Sequence, residues 1–463
     1  MSILAKLSDA LWDPWLLGLF LFTGLWWSCA SGFFQLFALP RWLRATAGQL
    51  FRRERSAAGG LTQLQALSTA LASTIGTGSI AGVAAAIFWG GPGAVFWMWI
   101  SALLGMMTSF AEKALAVRFH EPAPGGGWQG GPMCFIQRGL GLKRMARFFS
   151  LACLCASLGG GSLVQANSIA ASLQDTFGWD PLAVGLSTAL ACSLVIFGGV
   201  GRIGRVSERL VPLMALLFLG AGGFTIAVHA AALPSALRQI AACALSPEAA
   251  GGYGMAAALR YGVARGVFTN EAGMGSSAIA HAAAQTDDPA SEGLWGIFET
   301  GFATLVICSV TALAVLTSGV YDPAAAQAAI RSGTVTGAML GAPLSAAAFS
   351  TALGDWGGPL VSVCLLLFAF TSLLGWSYYG ERALSHLAGE GSRKKAGYRA
   401  LFLAAIVLGS VGDVSAVWQA ADLFNGLMAL PVLTALLLLT PEGLDILRRW
   451  EARDRRLIPD RPR

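Results

Sequence analysis

Two apolar stretches of this chain, each long enough to cross a membrane, carry a glycine-rich polar interruption near the middle. The first interruption spans 74–79 within the stretch 64–89, and the second spans 266–276 within the stretch 254–284. Backbone that leaves the helix at membrane depth exposes amide and carbonyl groups that hydrocarbon cannot satisfy, so each break must line a cavity enclosed by protein. Two such breaks in corresponding places of two halves are typical of the binding site of a secondary transporter.

The composition indicates a polytopic membrane protein. Of the 463 residues, 55% are hydrophobic and 12% are charged, whereas soluble domains average about 25% charged residues. Apolar runs of about 20 residues predict an N-terminal span near 14–38 and ten further spans. These ten are expected at 64–89 (broken), 93–118, 148–174, 182–199, 208–230, 254–284 (broken), 293–320, 358–386, 398–412 and 416–440. We therefore expect an all-α fold with about 11 transmembrane helices.

The distribution of basic residues predicts the orientation in the membrane. If the loop 39–60 is cytoplasmic, its side of the membrane holds 25 of the 31 Lys and Arg residues, the opposite side holds 3, and 3 lie within spans. By the positive-inside rule, the N-terminus is extracytoplasmic and the C-terminus cytoplasmic, in the inner membrane of a bacterium. Because the basic residues collect in alternate loops, the net charge of +6 does not indicate a nucleic-acid partner.

This orientation makes the two halves of the chain inverted repeats. Five spans enter from the cytoplasm and five from outside, and each set opens with its broken helix, which is the arrangement of amino-acid transporters. The predicted regions are an extra N-terminal transmembrane helix with a basic cytoplasmic loop (1–60), a first five-helix repeat (61–230), an extracytoplasmic loop (231–253), a second, inverted five-helix repeat (254–440) and a basic cytoplasmic tail (441–463).

The first break has the chemistry to bind both a carboxylate and a cation. Gly76 and Gly78 allow the helix to unwind and a ligand to approach the backbone. The amides of the residues at the start of the second half-helix would hold a substrate carboxylate, and the carbonyls that end the first half-helix would suit a hard cation. The amides are those of Thr77, Gly78, Ser79 and Ile80, and the carbonyls are those of Ala72, Ser73 and Ile75. The alternative is a glycine kink that serves packing.

The second break places three polar residues, Thr269, Asn270 and Glu271, at the predicted midplane, and we expect Thr269 and Asn270 to contact the substrate. A carboxylate within the membrane must be paired, protonated or bound to a cation. Arg265 is a candidate partner for Glu271, and we favour this structural ion pair over direct binding of a cation by Glu271. Phe268 either covers a small substrate side chain or is an ordinary packing aromatic.

Two further spans carry polar groups that would complete such a site. In the span 358–386, Thr371 and Ser372 offer adjacent hydroxyls to a sodium ion, and Trp376 lies one turn further on the same face. The alternative for these hydroxyls is a bond back to the preceding helical turn. Gln165, an amide in an otherwise apolar span, is a candidate ligand contact.

Several strings of this sequence resemble those of the alanine/glycine:cation symporter family, also called the sodium:alanine symporters. In order along the chain they are GTG (76–78), GGPGAVFWMW (90–99), GGPM (130–133), VQANS (164–168), NEAGMGS (270–276), AHAAA (280–284), FAFT (368–371), LGWSYYGE (374–381) and NGLMALP (425–431). This resemblance implies a leucine-transporter-like fold with one added N-terminal helix, and sodium-driven uptake of alanine or glycine. It also implies a substrate site formed by Gly76, Thr77, Gly78, Ser79, Gln165, Phe268, Ser372 and Trp376. The family commonly has Asn where this chain has Ser79.

Taken together, the residues and the resemblance predict a sodium-coupled importer of a small neutral amino acid, with the lipid bilayer, the amino acid and Na⁺ as its partners. One alternative is a proton-coupled carrier or exchanger of a somewhat larger neutral amino acid, and another is a non-transporting amino-acid sensor. The eight cysteines and four histidines lack the spacing of a metal site, and the sequence contains no hydrolase or metalloprotease pattern. We therefore expect neither a cofactor nor an enzyme. The sequence leaves the oligomeric state open.

Overall fold

A computed structural model describes residues 7–8, 10–49, 60–123, 126–245, 254–412 and 414–457, almost all of them in helices. Parts of the predicted loops 39–60 and 231–253 and of the tail 441–463 lie outside the described residues. The helices are α1 Leu17–Ala30, α2 Phe34–Phe37, α3 Leu39–Ala45, α4 Gln63–Thr74, α5 Ala81–Gly90, α6 Gly93–Arg118, α7 Pro132–Cys134, α8 Lys143–Leu158, α9 Val164–Phe177, α10 Pro181–Ile196, α11 Val200–Val228, α12 Leu233–Leu245, α13 Met255–Asn270, α14 Ala278–His281, α15 Pro289–Thr300, α16 Ser309–Thr317, α17 Pro323–Ser332, α18 Gly341–Leu353, α19 Gly357–Ala388, α20 Ser392–Val411, α21 Val414–Leu438 and α22 Thr440–Leu457.

Shorter elements connect or extend these helices. Two residues of β1 (Glu121–Pro122) pair antiparallel with β2 (Trp128–Gln129). Turns of π-helix join α8 to α9 and α15 to α16, at Gly159–Leu163 and Gly301–Cys308, so each pair forms one continuous helical rod. The remaining short turns are π-helices at Trp12–Leu16 and Phe135–Gly139, and 3₁₀ turns at Ala47–Gln49, Thr77–Ser79, Ala230–Ala232, Gly337–Met339 and Gly354–Trp356.

Six helical stretches of the described chain are long and apolar enough to cross a membrane. They are Gly93–Arg118, Lys143–Phe177, Val200–Val228, Pro289–Thr317, Gly341–Ala388 and Trp418–Leu438. The span predicted at 93–118 coincides with α6, and the other spans predicted from apolar runs fall on helices whose ends differ by several residues. The helices α12, α17, α18 and α22 are not among the predicted elements, because none of them is an apolar run of about 20 residues.

The first predicted break is present and joins α4 to α5. The helix α4 begins with a capping box, in which Thr62 Oγ1 accepts from the Gln65 amide and Gln65 Oε1 accepts from the Thr62 amide. It ends at Thr74, where the chain becomes extended at Gly76 and passes through the 3₁₀ turn Thr77–Ser79. A Cβ atom on Gly76 would lie 2.7 Å from Ser372 Oγ, so the close approach of α19 requires glycine there.

The second break is also present but begins later than predicted. The helix α13 continues through Asn270 and ends at Glu271, which adopts a left-handed conformation with φ of 53°. Gly273 and Gly275 also have positive φ, and the chain returns to helix only for the four residues of α14. The predicted start of the break at 266 is therefore wrong. Helical hydrogen bonding continues past Gly266, since the Glu271 amide still donates to the Val267 carbonyl at 2.8 Å. A single glycine weakens a helix but does not by itself end it.

The two broken helices lie at the centre of the bundle. The helix α6 packs against α13 and α15, while α4 packs against α11 and α19 and α5 packs against α13 and α18. The long helices α19 and α21 pack on α8, and α1 adds to the outside of α6. This packing encloses both breaks in protein, as unpaired backbone at membrane depth requires.

Candidate substrate and cation site

A small pocket lies where the two breaks meet. Its volume is about 20 Å³, which is room for one water molecule, so the protein closes tightly around it in this conformation. Seven of the predicted site residues line it: Ser73, Gly76, Gly78, Gln165, Phe268, Glu271 and Trp376. The remaining lining residues are Thr74, Gly160, Met274 and Asn425.

The backbone of the first break packs tightly against the second broken helix. A Cβ atom on Gly78 would lie 3.0 Å from Thr269 Cγ2 and 3.3 Å from Phe268 Cδ1. The absence of side chains at Gly76 and Gly78 thus lets the two broken helices and α19 meet at one point. A ligand in the pocket would touch main chain from the first break and side chains from the second.

Two buried amide side chains lie at the edge of the pocket with unused oxygen atoms. Gln165 Nε2 donates to the Gly160 carbonyl at 3.3 Å, while Gln165 Oε1 has no hydrogen-bond partner among the described residues. Asn425, which is 2% exposed, likewise has no described partner for its Oδ1. Buried polar atoms are normally satisfied, so a pair of them beside a pocket indicates where a polar ligand binds.

Aromatic rings form two walls of the pocket. Trp376 is 4% exposed and packs edge-on against Tyr379, with ring centroids 5.6 Å apart. Phe268 is half-buried, and its ring lies 6.3 Å from that of Trp418. Walls of this kind limit the size of the side chain that a ligand can carry.

Four oxygen atoms converge beside the pocket, where α19 meets the end of α4. Ser372 Oγ donates to the Ala72 carbonyl at 2.9 Å and to the Ser73 carbonyl at 3.2 Å. Thr371 Oγ1 donates to the Ala72 carbonyl at 3.3 Å and to the Phe368 carbonyl at 3.0 Å. The carbonyl end of a helix carries partial negative charge, and neutral oxygens are ligands that a hard cation prefers. Ile75 is the third residue whose carbonyl was predicted to bind a cation, and it makes no described contact with these hydroxyls.

Five of the predicted substrate-binding residues do not line the pocket: Thr77, Ser79, Thr269, Asn270 and Ser372. The Ser79 carbonyl accepts from Thr311 Oγ1 at 2.7 Å, which directs this residue toward α16 instead. Of the four amides predicted to bind a carboxylate, those of Ser79 and Ile80 already donate to the Gly76 and Thr77 carbonyls, at 3.2 and 3.3 Å. Only the amides of Thr77 and Gly78 remain for that role.

The two polar residues before Glu271 have structural roles in this conformation. Thr269 Oγ1 donates back to the Arg265 and Gly266 carbonyls, both at 2.9 Å, as hydroxyls in helices commonly do. Asn270 Oδ1 accepts from the Ala272 amide at 3.0 Å and so stabilises the turn that ends α13.

The predicted ion pair between Arg265 and Glu271 is wrong. Glu271 is 3% exposed and accepts a hydrogen bond from Ser276 Oγ, and no described cation pairs with it. The Arg265 guanidinium instead lies over the rings of Phe268 and Trp418, 5.6 and 5.9 Å from their centroids. Residues six positions apart lie on different sides of a helix, and Glu271 bonds to Ser276 within the break instead.

A larger cavity of about 1140 Å³ lies on the predicted extracytoplasmic side of the small pocket. It is bordered by α5, α9, α18, α19 and the start of α21, and both Arg265 and Trp418 line it. Phe268 lines the small pocket and lies beside both of these residues, so it is a point where the two spaces approach each other.

Several residues of this region are not predicted from the sequence. Asn425 lies within one of the strings that carry the family resemblance, but only the packing of α21 brings it to the pocket, where its Nδ2 lies 3.5 Å from the Cβ position of Gly160. Thr74 and Met274 border the pocket without any local signal in the sequence. Nor are Glu112, Lys113, His281 and Glu299 part of the predicted site, although each is a buried ionisable residue inside a predicted span.

The apolar helices, the two enclosed breaks and the central pocket define a multi-pass membrane protein with the architecture of a secondary transporter. The sequence model of the sodium:alanine symporter family matches residues 1–460. The chain therefore belongs to that family, which comprises secondary active amino-acid symporters.

Individual relatives agree with this assignment. The sodium/alanine symporter AgcS of Methanococcus maripaludis is 38% identical over 446 residues, covering 95% of each chain. The amino-acid carrier protein AlsT of Bacillus subtilis is 35% identical over 382 residues, covering 82% of this chain and 78% of its own. Among solved structures, that of MhsT in complex with L-phenylalanine is similar in fold, with a TM-score of 0.56 at 17% identity, covering 82% of this chain and 89% of its own.

Proposed function

We propose that this protein imports a small neutral amino acid, such as alanine or glycine, together with sodium. The observation that carries this proposal is the convergence of the Ala72 and Ser73 carbonyls with the hydroxyls of Thr371 and Ser372, directly beside a pocket between two broken helices. A cation bound among these oxygens would join α4 to α19. Na⁺ would be a co-transported substrate rather than a resident cofactor.

The amino acid would bind as a zwitterion in the central pocket. Its carboxylate would meet the amides of Thr77 and Gly78 at the positive end of α5. Its ammonium would meet Gln165 Oε1 and Asn425 Oδ1, the two buried oxygens without described partners, with the Glu271 carboxyl nearby. Each unpaired buried oxygen would gain a charge-assisted bond.

The size limit follows from the walls of the pocket. Because Phe268 and Trp376 close on a space of about 20 Å³, the pocket must expand to admit even a small amino acid. A side chain of one methyl group needs the least expansion. A larger neutral amino acid would also have to displace an aromatic ring. It is therefore the less favoured of the two candidate substrates.

Alternating access would use the two broken helices of inverted five-helix repeats, 61–230 and 254–440. The basic residues predict that the outer cavity faces the extracytoplasmic side and that the C-terminus is cytoplasmic, in a bacterial inner membrane. Rotation of Phe268 away from the pocket would connect the outer cavity to the central site. Sodium would then favour the closed arrangement because it binds residues of both α4 and α19.

Binding of alanine to purified protein in detergent tests this proposal. We expect alanine affinity to rise with sodium concentration and to be unaffected by potassium at equal ionic strength. A sensor that does not transport would bind alanine but would not move it across a membrane. Proton coupling predicts binding that depends on pH and is insensitive to sodium, and that result would contradict the proposed cation site.

A further inference from the structure

A group of five fully buried ionisable residues lies beside the central pocket, on its predicted cytoplasmic side. We call it the buried charge cluster: Glu112 and Lys113 of α6, His281 of α14, and Glu292 and Glu299 of α15. All five side chains are 0% exposed. Ionisable groups are costly inside a membrane protein, so a cluster of them is a candidate functional site by default.

Lys113 neutralises one part of the cluster. Its Nζ lies 3.5 Å from Glu112 Oε2 and 3.5 Å from Glu299 Oε2, and it donates to Ser109 Oγ at 2.7 Å. One ammonium thus serves two carboxylates. The third carboxylate of the cluster, that of Glu292, contacts His281 instead.

His281 bridges the other part of the cluster. Its Nδ1 contacts Glu292 Oε2, and its Nε2 lies 3.2 Å from Glu299 Oε2. A neutral imidazole has one N–H and one lone pair, whereas an ionised carboxylate can only accept. Both ring nitrogens face carboxylates, so either the imidazole carries a second proton or one of the two carboxyls is protonated. The geometry therefore requires one proton more than a neutral imidazole and two ionised carboxylates would carry.

The placement of the two carboxylates shows what the proton does. Glu292 and Glu299 lie on either side of one imidazole ring. With the additional proton on the bridge, a positive charge or a neutral carboxyl separates them. Without it, two ionised carboxylates would flank a neutral imidazole, and like charges repel strongly in a medium of low dielectric constant.

The cluster is bonded to both broken helices. Thr74, the last residue of α4, donates from its Oγ1 to Glu299 Oε1 at 2.8 Å. The Gly273 amide, within the second break, donates to Glu112 Oε1 at 2.9 Å. Beyond the cluster, the Gln285 amide donates to the Leu61 carbonyl at 2.9 Å, which joins the ends of the two broken segments. The cluster therefore lies between the pocket and this junction.

We propose that the buried charge cluster is a proton-binding site that locks the predicted cytoplasmic half of the transporter closed. The proton is held on the His281 bridge between Glu292 and Glu299, and while it is present α4, α6, α14 and α15 stay joined. This inference rests on the proposed function, because closing the cytoplasmic half matters only if a substrate passes through the central pocket.

Loss of the proton would open the lock. The proton would pass from the bridge to water on the cytoplasmic side, leaving neutral His281 and two ionised carboxylates that repel each other in a medium of low dielectric constant. The shortest route to relief is movement of the four-residue helix α14 away from α15. Because Thr74 borders the pocket and bonds to Glu299, substrate binding and the proton would influence each other.

Other titratable groups lie on the elements that pack against α14 and α15, and two of them, Glu271 in the second break and Tyr379 of α19, interact electrostatically with Glu299. The others are His120 beside Ala282, the groups Arg44, Tyr378, His386, Arg448 and Arg455, and the pairs Arg118–Glu442, Arg41–Glu451, Arg41–Asp454, Arg382–Glu390, Arg399–Glu381, Arg449–Asp445 and Arg453–Asp288. The helix α4 contributes Thr74 and no charged residue. The His281 bridge differs from these groups because both nitrogens of one ring face carboxylates.

Calorimetry of alanine binding with sodium present tests the inference. The heat of binding, compared between two buffers of different ionisation enthalpy, gives the number of protons exchanged on binding. We expect the full-length wild-type protein to exchange about half a proton or more at some pH between about 5.5 and 8.5. Binding of alanine without proton exchange throughout that range would overturn this inference alone, whereas absence of alanine binding at every pH would contradict the proposed function.

Variants assign the exchanged proton to the bridge. In His281→Gln and Glu299→Gln, the amide retains a hydrogen bond but cannot take up the proton, so we expect the exchange to fall to near zero. His386→Gln is the matched control, because His386 is half-buried, bonds to Ser150 and Gln137, and lies outside the cluster. Unchanged proton exchange in folded His281→Gln protein would overturn the assignment. If neither cluster variant folds, the wild-type measurement still decides.

Discussion

Ser372 Oγ lies 2.9 Å from the carbonyl oxygen of Ala72, across 300 positions of sequence, and this contact joins the last turn of α4 to the middle of α19. Each partner has a bonding capacity that a cation could use. The carbonyl offers lone pairs at the negative end of a helix, and the hydroxyl can turn its oxygen toward an ion once its proton rotates away. The account of sodium coupling depends on this relationship.

Removing both hydroxyls of the proposed cation site should weaken sodium binding. In a Thr371→Ala, Ser372→Ala double variant, we expect the sodium concentration for half-maximal alanine binding to rise about tenfold or more, since two oxygen ligands are lost. Ser377→Ala is the matched control on the same helix, because its hydroxyl only donates back to the Leu374 carbonyl at 2.7 Å. An unchanged sodium titration in the double variant would move the ion site elsewhere.

Gly76→Ala should abolish alanine binding, because its Cβ would lie 2.7 Å from Ser372 Oγ and would also approach Gln165 Oε1 at 3.4 Å. Gly82→Ala is the comparison on the same broken helix: its nearest neighbour, Arg265 Cδ, would be 3.9 Å away, and we expect near-normal binding. Equilibrium binding of radiolabelled alanine measures both. Equal effects of the two substitutions would mean that Gly76 is required for helix flexibility rather than for a close contact.

Asn425→Ala should reduce alanine affinity by about tenfold, the value of one charge-assisted hydrogen bond. Asn167→Ala serves as the control, since Asn167 donates to the Gly409 and Gly412 carbonyls and joins α9 to the end of α20. We expect Asn167→Ala to lower thermal stability and leave affinity nearly unchanged. The reverse pattern, a stability loss in Asn425→Ala with normal affinity, would exclude Asn425 from the substrate site.

Shrinking one aromatic wall should change substrate preference. In Trp376→Leu, alanine and glycine should bind more weakly while competition by leucine or methionine improves, because each methylene that the enlarged pocket can bury adds about 0.8 kcal/mol. The exposed Trp356 provides a control, as Trp356→Leu alters no pocket wall. The idea fails if wild-type protein already binds leucine as well as alanine, or if Trp376→Leu loses all four substrates equally while remaining folded.

Parts of this molecule can be predicted from local sequence. Glycines and hydroxyls between apolar runs identified both breaks, and the strings 76–78 and 270–276 carried the family resemblance. The exact end of α13 could not be predicted, because it depends on the left-handed turn at Glu271. Nor could the partners of buried polar groups be predicted: Thr74 meets Glu299 across 225 positions, and nothing near either residue specifies the other. Periodicity and composition report which face is buried, and only the packed fold shows which groups meet.

Sodium-driven uptake in proteoliposomes tests the central claim most directly. Full-length protein is reconstituted, and uptake of radiolabelled alanine is followed with an inward sodium gradient, with an inward proton gradient in the absence of sodium, and with neither. The account predicts accumulation of alanine against its gradient only when the inward sodium gradient is present, and loss of this accumulation in the Thr371→Ala, Ser372→Ala double variant. Equal accumulation under a proton gradient without sodium would contradict it.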